Sequence, residues 1–187
     1  AKMIMLSGSE DVNSLIEYLS PSGCLKWAPI HRFASLDDTK ALKFLLTETN
    51  CNVQTTDSRG WTALHWACLR ESYGAAQVLL QHGSDLEAVT DHPSRTPLLI
   101  SCQRGDVLTA RALIEAGAKL DAVDESKNSA ILICVQFKAF ECCKLLLENG
   151  APANIKCSSG WTALRLALTF EDDRLAELLL QSNNSLL

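Results

Sequence analysis

Apolar residues return along this chain at one fixed interval. Ala28-Pro29-Ile30-His31, Thr62-Ala63-Leu64-His65, Thr96-Pro97-Leu98-Leu99, Ser129-Ala130-Ile131-Leu132 and Thr162-Ala163-Leu164-Arg165 follow one another at 34, 34, 33 and 33 residues. A second row keeps the same step: Leu45-Leu46, Leu79-Leu80, Leu113-Ile114, Leu146-Leu147 and Leu179-Leu180. A third row carries turn residues, Asn50, Gly83, Gly117 and Gly150. Three features sharing one period mark a repeat architecture, in which each unit buries its apolar face against its neighbours.

Within a unit the pattern predicts two short helices and a polar finger. The first helix starts at the Thr or Ser, whose hydroxyl can accept from free backbone N–H groups, and Pro97 suits a first turn. The second helix carries the paired apolar residues at helical intervals. A Gly then ends it, with Asn50 as the next-best left-handed residue. The polar stretch that follows, such as Thr56-Asp57-Ser58-Arg59-Gly60, reads as a hairpin-like turn. Asp37, Glu71, Lys138 and Glu171 stand at the turn between the two helices where Gly105 stands in the third unit. A left-handed backbone there costs a non-Gly residue roughly 1 kcal/mol. Lys127 holds a fingertip where Gly would fit, and the finger carrying His92-Pro93-Ser94 is one residue longer than the others.

Asp57-Ser58-Arg59-Gly60-Trp61-Thr62-Ala63-Leu64-His65-Trp66-Ala67 and Val78-Leu79-Leu80-Gln81-His82-Gly83-Ser84-Asp85 resemble ankyrin repeats, whose period is about 33 residues around a Thr-Pro-Leu-His core. The resemblance implies an all-α solenoid of stacked helix pairs with projecting β-hairpin-like fingers. It covers 28–182 as units of about 28–56, 57–90, 91–123, 124–156 and 157–182. Residues 1–27 form an N-terminal cap or a partial repeat, with an amphipathic helix over 9–19, and 183–187 form a tail. Glu171, Asp172, Asp173, Arg174 and Glu177 suit the last helix to a polar C-terminal cap. His stands in the core motif only at His31 and His65, so the family's Thr–His bonding cannot be uniform here.

Composition narrows the function. The chain has 187 residues, 47% apolar and 21% charged, enough to bury roughly 70% of its unfolded surface without disulfides or metal. Seventeen Lys and Arg face 22 Asp and Glu, a net charge of −5 with no basic block, which argues against nucleic acid. No apolar stretch reaches membrane-span length, and Ala1–Leu6 is too short for a signal-peptide core. Eight cysteines without a Cys-x-x-Cys spacing read as reduced structural thiols of a cytoplasmic or nuclear protein.

No phosphate loop or nucleophile elbow occurs. His65 and Cys68 lie three apart on one helix, so a thiol enzyme is one hypothesis, but it lacks an orienting group and an oxyanion site. His82 and His92 lack a third metal ligand. No cofactor or metal is expected, and the chain is expected to act as a monomer.

The resemblance places partner contacts on the fingers and on the ends of the first helices. Just before the Thr-like position stand Trp27, Trp61, Arg95, Asn128 and Trp161, so three of the four Trp share one register. Arg59 lies in the same finger as Trp61. The first-helix ends contribute Arg70, Arg104, Phe137 and Phe170. Trp and Arg are enriched in binding hot spots, and the arginines favour an acidic partner. Trp66, inside the helix, is expected in the core. The leading expectation is therefore a non-catalytic module binding a protein or extended peptide. The alternative is a substrate-recruiting or regulatory arm of a larger enzyme, such as a ubiquitin ligase receptor or an acyltransferase. In the family a finger Asn can be hydroxylated, and Asn154 in Gly150-Ala151-Pro152-Ala153-Asn154 fits that place.

Overall fold

The structure, a computed structural model, describes residues 28–49 and 51–184. Trp27, Asn50, the helix expected over 9–19 and residues 185–187 lie outside the described residues. The described residues form ten helices: α1 (Pro29–Ser35), α2 (Thr39–Glu48), α3 (Ala63–Leu69), α4 (Tyr73–Gln81), α5 (Pro97–Arg104), α6 (Val107–Glu115), α7 (Ala130–Gln136), α8 (Phe140–Glu148), α9 (Ala163–Thr169) and α10 (Asp173–Asn184). They pair in sequence order and stack in that order. The first helices form one layer, α1 on α3 on α5 on α7 on α9, and the second helices form the other, α2 on α4 on α6 on α8 on α10. The all-α repeat solenoid stands as read from the sequence.

Each first helix is started by the residue its sequence places there. The hydroxyls of Thr62, Thr96, Ser129 and Thr162 accept from the backbone N–H three residues on. Ala28 has no such hydroxyl, and there the N–H of Ala28 donates to His31 Nδ1 instead, at 3.1 Å. The second helices use carboxylates: Asp38, Asp106 and Asp172 accept from Ala41, Thr109 and Leu175. For α4 the preceding unit supplies the cap, since Asp37 Oδ1 accepts from the N–H of Ala75 at 2.6 Å. Gly74 makes that approach feasible, because a Cβ there would sit 2.8 Å from Thr39 Cγ2.

The turns between paired helices are left-handed whatever residue occupies them. Asp37, Glu71, Lys138 and Glu171 have φ of 54°, 58°, 55° and 53°, beside 71° at Gly105. The chain must reverse there within three residues, so four units carry strain that one unit avoids.

One apolar core runs from Ile30 to Leu179 between the two helix layers. Position six beyond the Thr-like residue shows how stacking buries it. Ala34, Cys68, Cys102 and Val135 are fully buried there, whereas Leu168 is 59% exposed because no described helix packs beyond α9. The polar cap expected at this end is thus incomplete. Asp173, Arg174 and Glu177 face solvent, but so do Leu168 and Leu180.

Candidate functional site

The fingers are held by short backbone bonds and by one another. Asp57 N–H donates to Trp61 O, Asp124 N–H to Asn128 O and Cys157 N–H to Trp161 O. In the longer finger the same bond spans one more residue, from Thr90 N–H to Arg95 O at 3.2 Å. Successive tips are then stitched together. Asp91 N–H donates to Arg59 O, Glu125 N–H to Pro93 O and Ser158 N–H to Ser126 O. The fingers therefore form one ledge along the stack.

Buried carboxylates organise two of the fingers, and the sequence reading passed over them. Asp57 accepts from Arg59 N–H at 2.8 Å, Trp61 N–H at 3.0 Å and the Trp66 indole at 3.2 Å. Asp124 accepts from Ser126 and Asn128 N–H, both at 2.9 Å, and from the Asn128 amide. Thr90 serves in the second finger through its hydroxyl, which accepts from Arg95 N–H. The signal was a recurring Asp four residues before the helix cap neighbour. Thr90 and Cys157 interrupt that row, which hid it.

His65 ties the second unit to the next finger. Its Nε2 lies 3.0 Å from the carbonyls of Ala88 and of Arg95, which can only accept, so Nε2 carries the proton. Nδ1 then accepts from Thr62. Burial holds this imidazole down at about 4, against the pull of its carbonyl partners. His31 repeats the arrangement toward Thr55 O at 2.9 Å, and burial lowers it too. Burial pushes the Cys68 thiol up to about 12. A neutral buried thiol and a neutral imidazole engaged elsewhere do not make a nucleophile and base. His82 Nδ1 donates to Val78 O, and His92 pairs with Glu125 in a different finger contact, so the two do not share ligands.

The register before the Thr-like position divides between surface and interior. Trp61 and Trp161 are half-buried, each under an arginine: Arg59 lies 5.5 Å from the Trp61 ring, and Arg165 4.5 Å from the Trp161 ring. Trp66 is buried as expected, with its ring 5.1 Å from that of Trp61. Arg95 and Asn128, expected to face a partner, are instead built into the ledge. The Arg95 side chain is only 15% exposed and is held by Gln103 and by Asp124 at 3.5 Å. Asn128 is buried between Asp124 and Gln136. Arg95 is met by Asp124 of the next unit, and Asn128 by two polar side chains of its own unit.

The ends of the first helices form the other row, and this one is open. Leu36, Arg70, Arg104, Phe137 and Phe170 occupy one position in successive units, each just before the left-handed turn residue or Gly105. All five are exposed; Leu36 is 63%, Phe137 49% and Phe170 42%. Four of them were read from the sequence. Leu36 was passed over, although it stands directly before Asp37 just as Arg70 stands before Glu71. Arg104 pairs with Glu71 at 2.8 Å, a half-exposed bridge worth little stability. Beside the row, between α1 and α3, lies an open depression of about 270 Å³ lined by Arg32, Ser35, Leu36, Trp66 and Arg70. Asn154 is exposed on the finger before α9.

A family model described as ankyrin repeats, in three copies, matches residues 3–90 and 98–186. The chain belongs to the ankyrin repeat family. The two matched stretches part around the longer finger. The chain is also 38% identical over 56 residues to "Palmitoyltransferase akr1" of Schizosaccharomyces pombe (strain 972 / ATCC 24843). That similarity takes in 30% of this chain and 9% of the relative, so the chain spans a small fraction of that protein's length. Ankyrin repeats are in general protein-interaction modules. No helix among the described residues is long and apolar enough to cross a membrane.

Proposed function

We propose that the chain is a non-catalytic interaction module that docks a protein or extended peptide along its first-helix ends and fingers. The observation that carries this reading is the exposed row Leu36, Arg70, Arg104, Phe137 and Phe170, set on rigid helix ends. Two aromatic rings standing in water on a packed scaffold are poised to bury area without ordering a loop. Arg59, Trp61 and Trp161 extend the surface onto the ledge, while Arg95 and Asn128 hold the ledge in place. Cys68, Cys102, Cys134, Cys142, Cys143 and Cys157 carry free thiols, which supports a reducing compartment, the cytoplasm or nucleus.

The test is capture of a partner from source lysate by the 187-residue chain and by variants. Phe137→Ala and Arg70→Glu should each weaken capture at least about tenfold, roughly 1.4 kcal/mol. Lys144→Ala, exposed on α8 in the other layer, should leave it unchanged. Equal loss with Lys144→Ala, or none with the other two, refutes the assigned face.

The similarity to a palmitoyltransferase favours a second reading, in which this module is the recruiting arm of an acyl-transferring enzyme. The full-length gene product would then label itself or its captured partner with an acyl-CoA analogue, while the present chain alone would not. We also propose Asn154 as a hydroxylation site, supported by its exposure in the finger. Peptide mass spectrometry of protein from its source should show one added oxygen there.

A further inference from the structure

One end of the exposed row has a chemistry of its own. Most arginines of this face are already engaged. Arg104 is bound to Glu71, Arg95 to Gln103 and Asp124, and Arg59 lies over Trp61 and Trp66 beside Asp57. Arg32 and Arg70 differ: both are exposed, both line the depression between α1 and α3, and neither has an acidic partner among the described residues. In a chain of net charge −5, two such guanidiniums stand at one hollow whose lining holds no carboxylate. The remaining lining is apolar or small: exposed Leu36, the nearly buried edge of Trp66, and Ser35, whose hydroxyl donates to Arg32 O at 2.8 Å.

Resting on the docking reading above, we infer that this depression is a carboxylate subsite: Arg32 and Arg70 receive a carboxylate of the docked segment, and its apolar neighbour lies on Leu36. Guanidinium forks match carboxylates in a bidentate way, and the apolar wall lowers the competition from water. Further along the row, Phe137 and Phe170 take a large apolar side chain. The distance between the two anchors sets a spacing. From the α1–α3 hollow to the α7–α9 pair is three helix steps, which at 8–10 Å per packed helix is about 24–30 Å. An extended segment covers that in about 7–9 residues at 3.3 Å each. The ligand class is thus an extended peptide with an acidic residue beside an apolar one, and a second bulky apolar residue about 7–9 positions away.

The experiment selects displayed random peptides of roughly 16 residues, long enough for both anchors, on the 187-residue chain. Enriched sequences should carry Asp or Glu beside Leu, Ile or Phe, with a second large apolar residue at that spacing. A labelled peptide of the strongest sequence should lose at least about tenfold in affinity when its acid becomes the amide. The same loss should follow Arg32→Ala with Arg70→Ala, and the amide change should then cost little more. Amidated and free C-termini separate a side-chain carboxylate from a terminal one; dependence on either, lost in the arginine variant, supports the subsite. Circular dichroism should be unchanged, since both arginines are exposed. Peptides that need Phe137 and Phe170 but ignore the acid and both arginines overturn the subsite and leave the docking reading standing. Binding indifferent to all four residues, or no enrichment, overturns both.

Discussion

The finger carboxylates make a sharp quantitative test, because two fingers have the group and the last finger carries a thiol in its place. Consider Asp57→Ala. The side chain is fully buried and serves three donors. Arg59 is exposed, so water can replace the carboxylate at its N–H. Trp61 N–H and the Trp66 indole lie in half-buried and buried surroundings and would stay dry. A buried donor left without a partner costs roughly 1.5 kcal/mol, so two give about 3 kcal/mol. Asp57→Asn keeps the oxygen that takes both backbone N–H groups but turns an NH2 toward the Trp66 indole, so it should cost about 1.5 kcal/mol, half the loss of Asp57→Ala. The converse change is Cys157→Asp in the last finger, where Cys157 is only half-buried. Supplying the carboxylate there should add about 1 kcal/mol. Urea unfolding followed by circular dichroism reads all three; a cooperative loss of 3 kcal/mol corresponds to a midpoint lower by about 6–12 °C on heating. An Asp57→Ala cost below about 1 kcal/mol, or a destabilising Cys157→Asp, would refute the view that these carboxylates set the fingers.

Other outcomes follow from the same contacts. Lys138→Gly should stabilise by about 0.5 kcal/mol by removing left-handed strain, net of the added flexibility of Gly. Gly105→Ala should cost about 1 kcal/mol although its Cβ would find room, 3.7 Å from Ala139, because φ is 71°; urea midpoints check both. His65 sits at about 4 when folded against 6.5 ordinarily, because burial disfavours its charged form. Between those values the unfolded chain takes up a proton the folded chain refuses. The contribution is therefore intact above pH 6.5 and is lost as pH falls toward 4, by about 3 kcal/mol. His65→Leu, the residue units three and four use, should remove that part of the slope between pH 6.5 and 4 in parallel urea titrations. Burial also pushes Cys142 and Cys143 up to about 12, as it does Cys68. All three should alkylate at least about a hundredfold more slowly than half-buried Cys157 in peptide mapping of the native protein.

The repeat was legible because stacking forces identical environments once per unit. The Thr and Ser caps, the left-handed turns at Asp37, Glu71, Lys138 and Glu171, and the longer finger before α5 all follow from local backbone needs. Those needs are written in single residues at fixed places. The site was legible where exposure depends on position alone, as at Arg70, Phe137 and Phe170. It was hidden where exposure depends on a side-chain partner that the repeat pattern does not mark. Arg95 turns inward because Gln103 of its own unit and Asp124 of the next await it, and Asn128 because Asp124 and Gln136 of its own unit do. None of these pairings is marked by the repeating residues. The depression at Arg32 and Arg70 joins two units across 38 residues, and no motif within either unit announces it.

The central claim is that a polypeptide lies along the first-helix ends and the ledge. Hydroxyl-radical footprinting of the chain with and without its captured partner tests this most directly. The account predicts protection at Leu36, Phe137, Phe170 and Trp161, with Phe44 on α2 as reactive as before. Protection centred on Phe44 and Leu108 in the second-helix layer, with Phe137 and Phe170 unchanged, would contradict it.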